Sequence, residues 1–416
     1  MPTRPSSFAT APAAAIALAL LTASAHAGDL RGRIELTDLG AFTDPTSLDA
    51  SLGAEDRNDV LGDLRIMYEP RWDNWDFSFA YRLSADVGRG VELARDTAAL
   101  MPPKPPATLF DLTQDIVNTD HALVTQKIDR LSLGYSSGNF VARVGRQALT
   151  WGAGTVFHPM DLVDPFAPET VDTEYKPGVD MAYVQMLFDD GSDLQAIAVP
   201  RRATPGGQVT LDASTLALHY HRTLGDIGLT AILARDHGDW TAGLGLSGAL
   251  GGAVWNAELV PTLLPDGTLR TSGLVNISGA TTIFDRNATL FAEYFHNGFG
   301  AANGSALDAL PADLVDRLSR GQVFNTSRNY LAAGLSLEWT PLFTISPSVI
   351  LNLDDKSLDL AAEANWSLND NLNLIAGVQV PVGPSGTEFG GLPVSGGGAP
   401  YAEPPTTAYM QLRQYF

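Results

Sequence analysis

The sequence predicts an all-β chain, a transmembrane antiparallel up-and-down β-barrel of about 18 strands. Three observations predict it. Apolar and polar residues alternate with period two over segments of about ten residues, repeated along the chain. The connections between these segments sort by length, short after even-numbered ones and mostly long after odd-numbered ones. Mean hydropathy sits at +0.02, yet beyond residue 28 no stretch approaches about 18 apolar residues, which excludes a helical membrane protein.

The first element is an export signal, residues 1–27. Arg4 stands in an acid-free start, Ala11 to Thr22 is apolar but too short to span a bilayer, and Ala25-His26-Ala27 supplies a small-x-small cleavage pattern. The mature chain is expected to begin at Gly28 and to form a single barrel, 28–416.

The strands then follow at 30–41, 58–70, 75–86, 122–135, 140–150, 179–188, 193–200, 212–223 and 226–236. In the third, Trp75, Phe77, Phe79, Tyr81 and Leu83 share one face, and Asp76, Ser78, Ala80, Arg82 and Ser84 the other. The second half reads 240–249, 253–261, 269–280, 288–297, 328–339, 344–353, 357–367, 371–381 and 406–416. Its Gly-rich 240–249 and 269–280 alternate most weakly.

Asp73-Asn74, Gly225, Gly251-Gly252 and Asn369-Asp370 mark short turns, whereas 42–57, 87–121, 151–178, 201–211, 298–327 and 382–405 are long. A barrel with both ends in the periplasm segregates loops in this way; a soluble sandwich has no reason to. Aromatics gather at the short-turn ends: Trp72, Trp75, Tyr135, Phe140, Phe188, Trp339, Phe343, Trp366, Tyr415 and Phe416.

Composition excludes several functions. Lys+Arg of 26 against Asp+Glu of 47 gives a net charge of −21, the wrong sign for a nucleic-acid binder. No cysteine means no disulfide framework, thiol nucleophile or thiolate metal site. The 40 glycines and 26 prolines follow no strict period, which excludes collagen. A 416-residue soluble chain would split into two or three domains; a barrel, whose apolar face meets lipid, needs no large core.

Polar faces are assigned inward, because Arg or Lys facing lipid at the midplane costs about 2–4 kcal/mol. This gives a basic arc of Arg31, Arg33, Arg65, Arg82, Arg130, Arg143 and Arg413, partly countered by Glu35, Asp63 and Asp76. Facing it is an acidic arc of Glu258, Glu293, Glu338, Asp359 and Glu363. Such a transverse field passes and orients polar solutes; the alternative is that the charges pair across neighbouring strands.

Loop 151–178 mixes apolar Val156, Phe157, Leu162, Val163 and Phe166 with Asp161, Asp164, Glu169, Asp172 and Glu174. It is expected to fold into the barrel as a constriction, the alternatives being a lid over the mouth or a calcium site. In loop 298–327, Leu307, Leu310, Leu314 and Leu318 stand at helical spacing and are expected to pack against neighbouring loops. His219 and His221 share a strand face, a metal-pair spacing, but no third ligand is identifiable. Ser214 and Ser247 have no placed triad partners, and Gly-rich 395–398 opens no helix, so neither catalytic residue, cofactor nor metal is expected.

Two resemblances remain. Tyr409 to Phe416 alternates to an aromatic end and resembles the signal read by the barrel-assembly machinery of Gram-negative bacteria, with Gln414 as a departure. Val144-Gly145-Arg146-Gln147-Ala148-Leu149-Thr150-Trp151-Gly152 resembles a segment of porin-like and alginate-export-type outer-membrane barrels. That resemblance implies about eighteen strands and passage of polar solutes or anionic polysaccharides. A bulge at Gly145 is expected to turn Arg146 inward.

The expectation is an outer-membrane channel for passive diffusion of small polar or oligosaccharide-like solutes, with weak cation preference. Export of an anionic polysaccharide, or a surface enzyme or adhesin, is the alternative. The expected partners are outer-membrane lipid and lipopolysaccharide, the assembly machinery and the solute, with no nucleic acid; a homo-oligomer stays open.

Overall fold

Period-two alternation produces a two-faced ribbon, and a ribbon with one lipid-facing side is stable only when its edges are paired. The structure, a computed structural model, describes residues 30–100, 108–168, 174–301, 305–396 and 398–416. The expected export signal lies outside the described residues.

Eighteen strands form the wall. The first nine are β1 (Leu30–Phe42), β2 (Asp56–Tyr68), β3 (Trp75–Val87), β4 (Ala122–Ser137), β5 (Phe140–Gln147), β6 (Val179–Leu187), β7 (Asp193–Val199), β8 (Thr215–Leu224) and β9 (Ile227–Asp236). Then come β10 (Asp239–Leu250), β11 (Ala253–Leu263), β12 (Leu269–Ile283), β13 (Arg286–His296), β14 (Asn329–Thr340), β15 (Phe343–Asn352), β16 (Leu358–Asn369), β17 (Leu372–Val382) and β18 (Thr406–Tyr415). Each pairs antiparallel with its neighbours, and β1 closes on β18 with Glu35 opposite Arg413. The Phe416 ring lies over Gly32, where any side chain would collide with it, and the two backbones exchange hydrogen bonds of 2.8 and 3.0 Å.

The weakly alternating Gly-rich segments form full strands of 12 and 15 residues. Outward residues such as Leu36, Leu218, Leu233, Val275, Leu290 and Leu360 are exposed all round the ring. A soluble surface rarely carries so continuous an apolar band, whereas lipid requires it. Trp72, Trp75, Phe188, Trp339 and Trp366 are exposed near the short turns. Among the described residues no helix is long and apolar enough to cross a membrane.

The long connections carry structure that alternation does not signal. Short helices α1 (Leu48–Ser51), α2 (Arg89–Leu100) and α3 (Ala312–Ser319) lie in three of them. A further strand, Thr113–Thr119, pairs with the outer half of β4. In the loop after β13, Leu314 is fully buried with Leu310, Phe299 and Ala301, and Leu307 and Leu318 pack against them.

One expectation fails at Gly145. Its φ of +121° distorts β5, but the register with β4 and β6 runs through it unbroken. Arg146 therefore stands opposite Asp180, which shares the outward face of Ala182 and Val184. Arg146 does not turn inward. A glycine at positive φ absorbs the distortion that a bulge would otherwise take up.

Candidate functional site

The lumen is built from inward positions of the wall and from the loop after β5. That loop leaves the wall early, since β5 ends at Gln147. Trp151, Met160, Leu162 and Val163 are buried against Met181, Ile197, Val199, Ala217, Ile232, Ala234 and Val260, inward residues of β6–β9 and β11. Phe157 stacks on Phe295 at 4.5 Å and packs against Leu274, Tyr330 and Ile350 of β12–β15. In β10 a side chain at the inward Gly243 would strike Ile232 of β9 first and Met160 next, and one at Gly245 would press on both Thr230 of β9 and Met160.

Two members of the expected acidic arc hold this loop. The backbone N–H groups of Thr155, Val156 and Phe157 donate to Glu293 at 2.6, 3.0 and 2.8 Å. Ala153 N–H donates to Glu258, and Asn276 bridges Ala153 O and Glu293 at 2.9 and 3.0 Å. Both carboxylates are buried, at 6% and 1% exposure, so their charge is spent on loop backbone. Asp359 is buried as well, at 4% exposure, and accepts from Gln379 at 2.7 Å; Glu338 and Glu363 are not buried and accept from neutral Asn287 and Tyr409, each at 2.9 Å.

The far end of the loop meets the other wall. Glu174 accepts from Arg33 at 2.9 Å, Arg413 at 3.2 Å and Tyr415 at 2.8 Å. In an eighteen-member ring β10 and β11 stand across from β1, so the loop's described ends engage opposite walls. Lys176 braces the loop by donating to Leu149 O and to the Asp161 carboxylate. Burial pushes Asp161 up to about 6 against the pull of Lys176, and burial raises Asp164 also. Glu169 and Asp172 lie outside the described residues.

The basic arc forms a row. Register places Arg33 opposite Arg65, Arg65 opposite Arg82, and Arg82 opposite Lys127. Like charges directly opposite repel, and each is offset. Arg33 pairs with Asp63 at 3.4 Å and Glu35 at 3.5 Å, Arg82 with Asp63, and Arg413 with Glu35 at 3.0 Å. Arg65 and Arg130 share Asp129, which a β4 irregularity brings into the row. The Tyr175 ring lies 5.0 Å from the Arg33 guanidinium and 4.4 Å from that of Arg65. Arg143 pairs with Asp76 at 2.7 Å nearer the short turns, and solvent-exposed Arg31 pairs with Glu69.

Sequence reasoning missed Lys127 and Asp129, because the β4 irregularity shifts the alternation that would place them. It also missed the apolar inward face of β6–β11. The signal was present in Ile197, Val199, Ile232 and Ala234, apolar where a water-filled lumen calls for polar residues. The two histidines have ordinary partners: His219 stacks on Trp151 at 5.0 Å, and His221 lies 3.5 Å from Asp193. Among the described residues no group of three or more His, Asp or Glu has metal-holding geometry.

A closed ring of eighteen antiparallel strands with an apolar outer belt defines a transmembrane β-barrel of the outer-membrane type. Among solved structures, the chain is similar in fold to OccAB3 of Acinetobacter baumannii, with TM-score 0.54 and 11% identity over 93% of this chain and 99% of that one. It is similar also to OccK5 (OpdH) of Pseudomonas aeruginosa, with TM-score 0.54, 8% identity and coverage of 93% and 98%. OccAB1 of A. baumannii gives TM-score 0.53 and 10% identity over 95% and 98%. No protein-family profile and no curated protein matches the chain.

Proposed function

We propose that the chain is an outer-membrane channel for passive diffusion of small polar solutes, narrowed by loop 151–178 and weakly cation-preferring. The observation that carries the reading is the loop's attachment to opposite walls, on Glu258 and Glu293 at one side and on Arg33 and Arg413 at the other. A loop fixed in this way sets a cross-section. The candidate lining comprises Arg82, Lys127 and Arg143 on one arc and Glu338 and Glu363 on the other. Ion preference follows from an imbalance: the cations face carboxylates, whereas these two acids face neutral donors.

The neighbours in fold include the Occ proteins named above, and the reading is consistent with them. Lipid and lipopolysaccharide around the belt, and the assembly machinery reading Tyr409–Phe416, belong to the same proposal. Reversal potentials across a salt gradient in planar bilayers test it. Stepwise conductance with mild cation preference is expected, larger once residues 152–166 are deleted. Strong anion selectivity, or no conductance with or without the loop, would overturn it.

A further inference from the structure

Of three adjacent wall strands, β5 and β7 have 8 and 7 residues and β6 between them 9, at or below the about 9–11 that a tilted membrane strand needs. On their outer face register aligns Val144, Ala182, Ala198 and Leu216 in one row. Val144 and Leu216 stand proud at 61% and 46% exposure, while the two alanines leave a low floor between them. Segments 108–112 and 209–211 border this floor, presenting Phe110, Val209 and Leu211 at 57%, 45% and 62% exposure. The result is an apolar groove of about 510 Å³, inside the range of about 300–1,000 Å³ typical of ligand sites.

Height places the groove within the bilayer. Val144 lies four residues beyond Phe140, where β5 leaves its turn; at about 3.3 Å per residue that is roughly 13 Å of strand, in an apolar band about 25 Å tall. Hydrocarbon chains are what surround the wall there.

The inner end of the groove is polar. Arg146 pairs with Asp180 through two hydrogen bonds of 2.9 Å, and the Phe110 backbone caps the pair, its N–H on Asp180 at 3.0 Å and its carbonyl on Arg146 at 2.6 Å. Beyond lies a second cavity of about 920 Å³ at the extracellular mouth, which shares Leu109, Asp180, Pro200 and Thr210 with the groove. Arg202 stands at the seam and donates to Leu109 O at 3.0 Å and Gly207 O at 2.7 Å. Its acceptors among the described residues are backbone carbonyls, so its charge faces no carboxylate at bonding distance.

We infer that this groove binds a single-chain anionic amphiphile, a long-chain carboxylate drawn from the outer leaflet. The chain lies on the Ala182–Ala198 floor under Phe110 and Leu211, and the carboxylate reaches Arg202 at the seam. The chain lies on the outside of the wall, while Arg202 at the seam also lines the mouth cavity with Lys127, Leu162 and Asp164.

Binding of a fluorescent polyene fatty acid to the full-length protein in uncharged detergent tests it, beside its methyl ester and the variants Ala198→Trp, Ala182→Phe and Arg202→Gln. The acid is expected to saturate one site, at least about tenfold more weakly once either floor variant fills the groove. Arg202→Gln and esterification are each expected to weaken binding by about tenfold, the scale of one charged hydrogen bond, and not additively. Heat-modifiable mobility establishes that the variants are folded. Equal binding of acid and ester, insensitivity to both floor variants, or a tightly co-purifying lipopolysaccharide that blocks the probe would overturn the inference.

Discussion

Glu293 is the residue on which the infolded loop depends most. It is 1% exposed and takes three consecutive backbone N–H groups. Each donor left unsatisfied in a buried site costs about 1–3 kcal/mol, so Glu293→Ala is expected to release the 153–157 segment. The measurable outcome is a higher single-channel conductance with more open-state noise, in a barrel that still shows heat-modifiable mobility. Asp161 supplies a pH dependence of definite sign. Its carboxyl sits at about 6 in the docked loop against an ordinary 3.8. The docked loop therefore holds this proton more tightly than a released one. Docking gains stability as pH falls through about 6 and reaches its full gain below about 4. Limited proteolysis of residues 151–168 is expected to slow on acidification through that window in the wild type and to slow less in Asp161→Asn, where the raised Asp164 remains. A faster rate at low pH would contradict the assignment.

Among the elements, β10 shows why composition and alternation carry different information. Gly243 and Gly245 weaken its pattern in the sequence, yet their missing side chains make room for Ile232 of β9 and for Met160 of the loop. Gly245→Val is expected to overpack the Met160 contact at about 1–3 kcal/mol. The loop moves while the wall, held by backbone pairing to β9 and β11, stays closed. Conductance should rise with assembly unaffected; loss of the folded barrel would show that the glycine serves the strand itself. The loop strand Thr113–Thr119 makes the complementary point. Its partner is the outer half of β4, to which β5 is too short to pair, and alternation by itself does not report which neighbour a segment will find.

For the whole molecule, the net charge of −21 becomes an unequal ring. Carboxylates close to every member of the Arg33–Arg65–Arg82–Lys127 row cancel most of its field, so cation preference rests on the arc opposite. The double variant Glu338→Gln, Glu363→Gln is expected to move the reversal potential toward anions, and Arg82→Gln to move it the other way. No shift in either would place the selectivity filter elsewhere. Most of the wall was legible. A lipid-facing strand must alternate, must be about ten residues long and must be paired on both edges; eighteen such segments, an even number with parity-sorted connections, leave few arrangements other than a closed ring. The candidate lining was legible only as a list of charges, because alternation gives the face of a residue but not its partner.

The sequence by itself determined the strand count and the mixed character of loop 151–178, since these follow from local periodicity and chain length. Tertiary structure alone decided that Glu258 and Glu293 hold backbone rather than line open water. It also decided that Arg146 stays with Asp180 on the outer face, and that short β5–β7 leave an apolar groove between two loops. Each of these depends on register and on contacts between residues far apart in the chain, and a pattern of period two repeats too uniformly to encode them.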